Sequence, residues 1–323
     1  LLLSGCAATP SLPTDDSAIS DITPYPWAYL RDGRHLADNE RAVTVIAVGD
    51  VLLGRGVAAE SAPLQHTATW LAEADLTLGN LEGVLVKQSL VEDGQSRQAP
   101  QGEAQPLILA ASPVAAALLP RAGFDIMSLA NNHSLDYGEE GLKETVEHLH
   151  RAGIDVIGVR GEGETAGPLL REINDLTLAF LAFNAVSDPH PALACPPGEP
   201  CSPRPAAWDP PISLPEIAAA RSQVDALIVS IHWGFEYQPR PDPHQERIAR
   251  AMLEAGADLV IGHHPHVPQI ISIQEDRVVA FSLGNFLFDQ SRRETVHSLA
   301  LRAFFDKQGL RALQALPLHA GLK

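Results

Sequence analysis

The clearest signal along the chain is a series of short, continuous apolar runs, each ending in glycine or a polar cluster. Val43–Val48 is apolar and β-branched, the pattern of a strand buried on both faces, and it ends in Gly49-Asp50. Asp75–Leu78 repeats the pattern and ends in Gly79-Asn80-Leu81-Glu82-Gly83. Asp125–Leu129 leads into Ala130-Asn131-Asn132-His133-Ser134-Leu135-Asp136, and Ala226–Ile231 into His232-Trp233-Gly234. Leu259–Ile261 runs into Gly262-His263-His264-Pro265-His266. Further strands are predicted at Asp155–Val159, Gln269–Gln274, Val278–Leu283 and His297–Phe305. Leu169–Ile173 and Leu176–Phe183 predict a hairpin turning at Asn174-Asp175.

Helical periodicity fills the gaps, at Pro63–Ala74, Pro113–Arg121, Glu139–Ala152, Pro215–Val224 and Pro243–Ala255. Strands alternating with helices predict an α/β fold, whose sites ordinarily sit at the carboxyl ends of the strands. Residues 87–106 are polar, Gln-rich and poorly patterned and read as a surface insertion, 188–211 reads as a Pro-rich loop, and 87–106 and 184–211 are the loops expected to face a substrate. Specificity would reside in such loops, so the substrate is not encoded in any readable motif.

Composition narrows the function. The 323 residues are 45% hydrophobic, enough for a substantial core. A net charge of -17 leaves no basic stripe to follow a phosphate backbone, which argues against nucleic acid as a partner. No run approaches the roughly 20 apolar residues needed to span a bilayer.

Leu3-Ser4-Gly5-Cys6 resembles a bacterial lipobox, in which Cys6 would be the lipidated residue. Residues 1–6 then read as the end of a lipoprotein signal peptide, 7–40 as a Pro- and Ser-containing linker, and 41–323 as one domain. Pro24, Tyr25, Pro26, Trp27 and Tyr29, at the linker's end, could pack onto that domain. This reading places the protein in the cell envelope, held to a membrane by its lipid. Cys195-Pro-Pro-Gly-Glu-Pro-Cys201 could close a small disulfide loop, the alternative being two free thiols.

The candidate chemistry lies at the five polar strand ends. Asp50, Glu82, Asn132, His133, His232, His264 and His266 supply oxygen and imidazole nitrogen without thiolate, a ligand set suited to Mn, Fe, Zn or Mg. Singly, each has an ordinary reading as a cap, a solvated carboxylate or a loop histidine. Together, at one sheet edge, they point to a metal centre. Two ions sharing Glu82 could clamp a phosphoryl oxygen, with His133 as general acid.

Gly49-Asp50, Asn80-Leu-Glu82, Asn131-Asn-His133, His232-Trp-Gly234, His264-Pro-His266-Val and Ser282-Leu-Gly-Asn-Phe286, in this order, resemble the CapA family of bacterial capsule and poly-γ-glutamate synthesis proteins. These are similar to calcineurin-like metallophosphatases. The resemblance implies a four-layer α/β/β/α sandwich and a divalent-metal site of two ions (Mn, Fe or Zn). One ion would be held by Asp50, Glu82 and His266, the other by Glu82, Asn132, His232 and His264. His133 would be the catalytic histidine, with Asp136 and Asn285 orienting the site's imidazoles. His263 matches no ligand position in the pattern. Leu52 stands where the metallophosphatase pattern carries a histidine ligand, and Glu82 where it carries a bridging Asp.

Three functions follow as expectations. The first is a metal-dependent, phosphoesterase-like hydrolase. The second is a non-catalytic, lipid-anchored component of a membrane complex that makes or exports capsular polymer or polyglutamate. The third is a hydrolase or transferase of γ-glutamyl amides. Trp233, Phe235 and Tyr237, directly after a candidate ligand, could line a pocket or simply pack beneath the loop.

Overall fold

The Val43–Val51 strand is buried along nearly its whole length, as its unbroken apolar run requires. In the computed structural model, which describes residues 27–31, 42–87, 107–161, 167–186, 202–290 and 292–320, this strand is central to the larger of two main sheets. It pairs in parallel with Leu76–Leu81, which continues in parallel to Ile126–Ser128 and Asp155–Ile157. On its other side it pairs antiparallel with His297–Asp306, followed by Gly309–His319 and the edge strand Trp27–Tyr29. Asn285–Leu287 joins it in parallel beside Asp50 and Val51.

The second sheet runs in the order Ile271–Gln274, Arg277–Ala280, Leu259–His263, Ala226–His232, Leu176–Asn184 and Leu169–Ile173, with its four inner strands parallel. The expected hairpin joins its last two strands. Asn174 and Asp175 both take positive φ, 51° and 65°, as a tight two-residue turn between twisted strands demands.

Three apolar clusters hold these elements together. One joins inward residues of both sheets, such as Val45, Ala47, Phe180, Ile228 and Ile261. A second joins the first sheet's other face to Leu142, Val146 and Leu149 of the Gly138–Arg151 helix. The third joins the second sheet's other face to Ile217 of the Pro210–Arg221 helix and to Ile248 and Met252 of the Pro243–Ala255 helix. The last helix starts and stops where its sequence dictates. Asp242 Oδ1 accepts from the amides of His244 and Gln245 at 2.6 and 3.0 Å, Gln245 Oε1 accepts from the Asp242 amide at 3.0 Å, and Gly256 ends the helix at φ 116°.

Several elements differ from expectation. Of Pro63–Ala74, only Ala68–Leu71 is α-helical, and Pro113–Arg121 divides into a 3₁₀ turn, Pro113–Ala117, and one α turn, Leu118–Arg121. The helix expected from Pro215 begins at Pro210, where consecutive prolines occupy first-turn positions that need no N–H, and Pro215 is carried inside it. Gly309–His319, for which no element is predicted, is an eleven-residue strand. Its pairing with His297–Asp306 overrides the helix preference of its Leu, Ala and Gln residues. Trp27–Tyr29, within the stretch read as linker, is the edge strand. Its Trp27 and Tyr29 rings stack at 5.7 Å, and Trp27 also meets Phe304 at 5.2 Å. Cys6, Cys195 and Cys201 lie outside the described residues. Among the described residues no helix is long and apolar enough to cross a membrane.

Candidate metal centre

The parallel strands of both sheets end at one edge, and the polar clusters that follow them meet there. Gly49 is required just before Asp50: a Cβ at this position would sit 1.8 Å from the carbonyl oxygen of Gly284. That close approach lets the Asp50 amide donate to Gly284 O at 3.0 Å, fastening the Asn285 strand beside Asp50.

Asp50 and Glu82 are almost wholly buried, as are Asn132, His133, His232, His264 and His266. Among the described residues, Asp50, Glu82 and His266 form one group whose ligand atoms all lie within 4.8 Å of one another. His266 Nδ1 is 2.9 Å from Asn285 Oδ1 and 3.4 Å from Asp50 Oδ2, while Nε2 faces Glu82 Oε1 at 3.6 Å. A proton on Nδ1 donated to Asn285 would leave the Nε2 lone pair directed toward Glu82. Next to this group, His232 Nε2 is 2.9 Å from Asn132 Oδ1, and the rings of His232 and His264 are 4.8 Å apart. Two atoms ligating one ion at about 2.1 Å are separated by about 3 Å, so the Asn132–His232 distance also fits a shared ion. Backbone strain collects in the same loop: His264 has φ 94° and His266 φ 57°.

His133 has a different environment. Its Nδ1 lies 2.9 Å from Asp136 Oδ2, which also accepts from the Leu109 amide at 2.6 Å. Nε2 points toward Glu82 Oε1 at 3.9 Å. The loop is fixed by Asn131, whose Nδ2 donates to Leu81 O at 2.8 Å and to Asn80 Oδ1 at 3.1 Å, and whose Oδ1 accepts from the His133 amide at 3.1 Å. Burial lowers the basicity of His133, but the hydrogen bond to Asp136 and the charge of Glu82 outweigh it and raise the pKa above the ordinary value. Its Nε2 can therefore carry a proton toward the centre.

The other groups show the strain of an uncompensated charge cluster. Burial pushes Glu82 up to about 7, opposed by His266. Burial pulls His266 down, yet Glu82 and Asp50 raise it to about 9. Burial opposes ionisation of Asp50, but contacts with His263 and His266 hold its pKa well below the ordinary carboxylate range. Burial and neighbouring histidines depress His232 and His264, the latter to about 3, leaving both imidazoles neutral and free to ligate. Glu82 Oε2 and His264 Nδ1 are buried without a hydrogen-bond partner among the described residues. A divalent cation is the partner that the Asp50, Glu82 and His266 donor set fits, since it would neutralise two buried carboxylates.

Leu52 is turned into an apolar wall with Leu109 and Phe288, and the Phe288 ring is 5.0 Å from His266. The position that would hold a further ligand is thus hydrocarbon. Trp233 packs beneath the loop, its Nε1 donating to Phe281 O at 2.8 Å, whereas Phe235 is exposed. Tyr237, at φ 61°, has its ring 6.1 Å from that of His266 and beneath the Arg292 guanidinium at 4.0 Å. A path of side-chain contacts runs outward from His266 through Asn285 and Gln290 to Tyr237. Sequence reasoning did not single out Arg292 or Gln290, because nothing local marks them. His263 does enter the site, with Nδ1 3.2 Å from Asp50 Oδ1.

These features define a mixed α/β protein with a candidate metal-binding site at its strand ends. Residues 44–290 match the family "Bacterial capsule synthesis protein PGA_cap", and the chain belongs to that family. It is 31% identical over 294 residues to the capsule biosynthesis protein CapA of Bacillus anthracis, covering 87% of this chain and 68% of that protein. It is 30% identical over 280 residues to the PGA biosynthesis protein CapA of Bacillus subtilis, covering 84% and 70% respectively. Among solved structures, a hypothetical protein from Thermus thermophilus matches with a TM-score of 0.53 and 16% identity over 86% of this chain and all of its own, a likeness of fold alone.

Proposed function

We propose that this chain is a cell-envelope, metal-dependent hydrolase of the phosphoesterase type, serving the synthesis of a capsular polymer such as poly-γ-glutamate. The observation that carries the reading is the buried Asp50–Glu82–His266 group, with the Asn132–His232 contact and the His264 ring close by and the Nε2 of a His133–Asp136 pair 3.9 Å from Glu82. The polymer is suggested by the relatives' names. The three apolar clusters support a four-layer α/β/β/α arrangement.

Asp50, Glu82 and His266 would hold one ion, and Glu82, Asn132, His232 and His264 a second. A bound divalent ion supplies Lewis-acid polarisation of a phosphoryl oxygen and acidifies water. The chain's own part is to fix the ligands, exclude bulk water through burial, and present a proton on His133 Nε2 to a leaving oxygen. Asp136, accepting from Nδ1–H, favours the imidazolium that carries this proton. A lipid on Cys6 would hold the domain at the membrane, and a Cys195–Cys201 bridge would close the loop ahead of the Pro210 helix.

One observation favours a second reading, a non-catalytic component of an envelope complex: Leu52 removes a ligand and its place is packed shut. Elemental analysis of a soluble form lacking residues 1–20, beside His264→Ala, separates the readings. Two equivalents that fall in the variant, with turnover in a phosphoester screen, support the hydrolase. One equivalent points to a mononuclear centre. No uptake of Mn, Fe or Zn refutes the hydrolase and leaves the complex component.

A further inference from the structure

The two oxygens of Asp50 have different neighbours. Oδ2 lies 3.4 Å from His266 Nδ1 and 3.4 Å from the His264 amide. Oδ1 accepts from Asn80 Nδ2 at 2.9 Å and lies 3.2 Å from His263 Nδ1. His263 is the last residue of its strand, in parallel register with His232, and is 1% exposed. Neither its Nδ1, despite that 3.2 Å contact, nor its Nε2 makes a hydrogen bond of ordinary geometry among the described residues. Burying an imidazole so sparsely satisfied is costly, and nothing in apolar packing requires it.

We infer that His263 is a positioning residue for the centre. With Asn80 it holds Asp50 Oδ1 so that Oδ2 is the atom offered to a cation. The inference rests on the metal-centre reading above and extends it to a residue outside the expected ligand pattern. Leu52 gives the role its weight. With a leucine in the ligand place, Asp50, Glu82 and His266 are the group left on that side, and a site with few ligands depends more on how each is aimed. Removing an orienting partner of a ligand ordinarily costs about 10–100-fold in metal affinity.

The test is Mn²⁺ titration calorimetry, with elemental analysis, on the full chain as wild type, His263→Ala and His263→Asn. The Asn amide falls near the Nδ1 position and can still donate to Oδ1. The expected result is an affinity loss of about 10–100-fold in His263→Ala, largely restored in His263→Asn. Melting temperatures of the metal-free forms check the fold. If the alanine variant does not fold, His263→Gln, whose amide falls at the Nε2 position, becomes the loss variant. Wild-type affinity in the loss variant overturns the inference. Equal losses in the Asn and loss variants also overturn it, pointing to direct ligation. A wild type that binds Mn²⁺ keeps the metal-centre reading in both cases; one that takes up none overturns that reading and this inference together.

Discussion

Stripping the centre of divalent ions and raising the pH from 6.5 to 9 should destabilise the fold, and His266 sets the size of the effect. Glu82 and Asp50 overcome burial and raise this imidazole from 6.5 to about 9. A base held at a raised pKa binds its proton more tightly folded than unfolded. Its contribution is complete below 6.5 and is lost as the pH climbs through about 9. That rise corresponds to about 3 kcal/mol. Glu82, raised to about 7, and His133, also raised, act in the same direction. Glu82 and His266 share one contact, so their effects do not add. His232 and His264, both depressed, oppose the drop only weakly, as their unfolded counterparts finish losing protons just above 6.5. At roughly 1.5–2 °C per kcal/mol for a domain of this size, the metal-free melting temperature should fall by roughly 5 °C. The assay is scanning calorimetry of chelator-treated protein at both pH values, beside His266→Asn, a residue that tolerates the left-handed backbone there. The variant should lose most of the drop. Saturating Mn²⁺ should shrink the drop in the wild type, because ligands shed protons as metal binds. A metal-free melting temperature equal at the two pH values, or an undiminished drop in His266→Asn, would refute the reasoning.

Other outcomes are expected from the same geometry. His133→Ala should abolish phosphoester turnover while calorimetry shows metal uptake and fold retained. Asp136→Asn should lower kcat by about 10–100-fold and shift its pH profile to lower pH, since the partner that raises His133 is lost; an unmoved profile would count against the pair. Gly49→Ala should cost about 3 kcal/mol in denaturant unfolding, because a Cβ 1.8 Å from Gly284 O must separate two strands; a cost within experimental error would contradict the packing. Arg160→Lys should cost about 1 kcal/mol, since the paired 2.6 Å bonds to Glu216 need a guanidinium fork.

Much of the site was legible because the chain announces where buried strands stop. A continuous apolar run can only be an interior strand or helix, and a glycine followed by Asp, Asn or His marks its exit at the sheet edge. On that basis Asp50, Glu82, Asn132, His133, His232, His264 and His266 could be named before any fold was known; the structure groups Asp50, Glu82 and His266, sets His133 near Glu82 and pairs Asn132 with His232. The Pro243–Ala255 helix was readable for a similar reason, since Asp242 and Gly256 are local signals. The Gly309–His319 strand was not: its residues prefer helix, and only pairing with a distant partner decides otherwise.

The sequence by itself therefore determined the α/β alternation, the polar strand ends and the kind of ligand they supply, because each depends on residues close together in the chain. The tertiary structure alone decided which atoms face which. Asp50 and His263 are 213 positions apart, yet their side chains lie 3.2 Å from each other. Leu52 faces hydrocarbon, and Arg292 lies over Tyr237 beside His266. Such contacts cross between strands and loops remote in sequence, where no local periodicity or propensity carries the information.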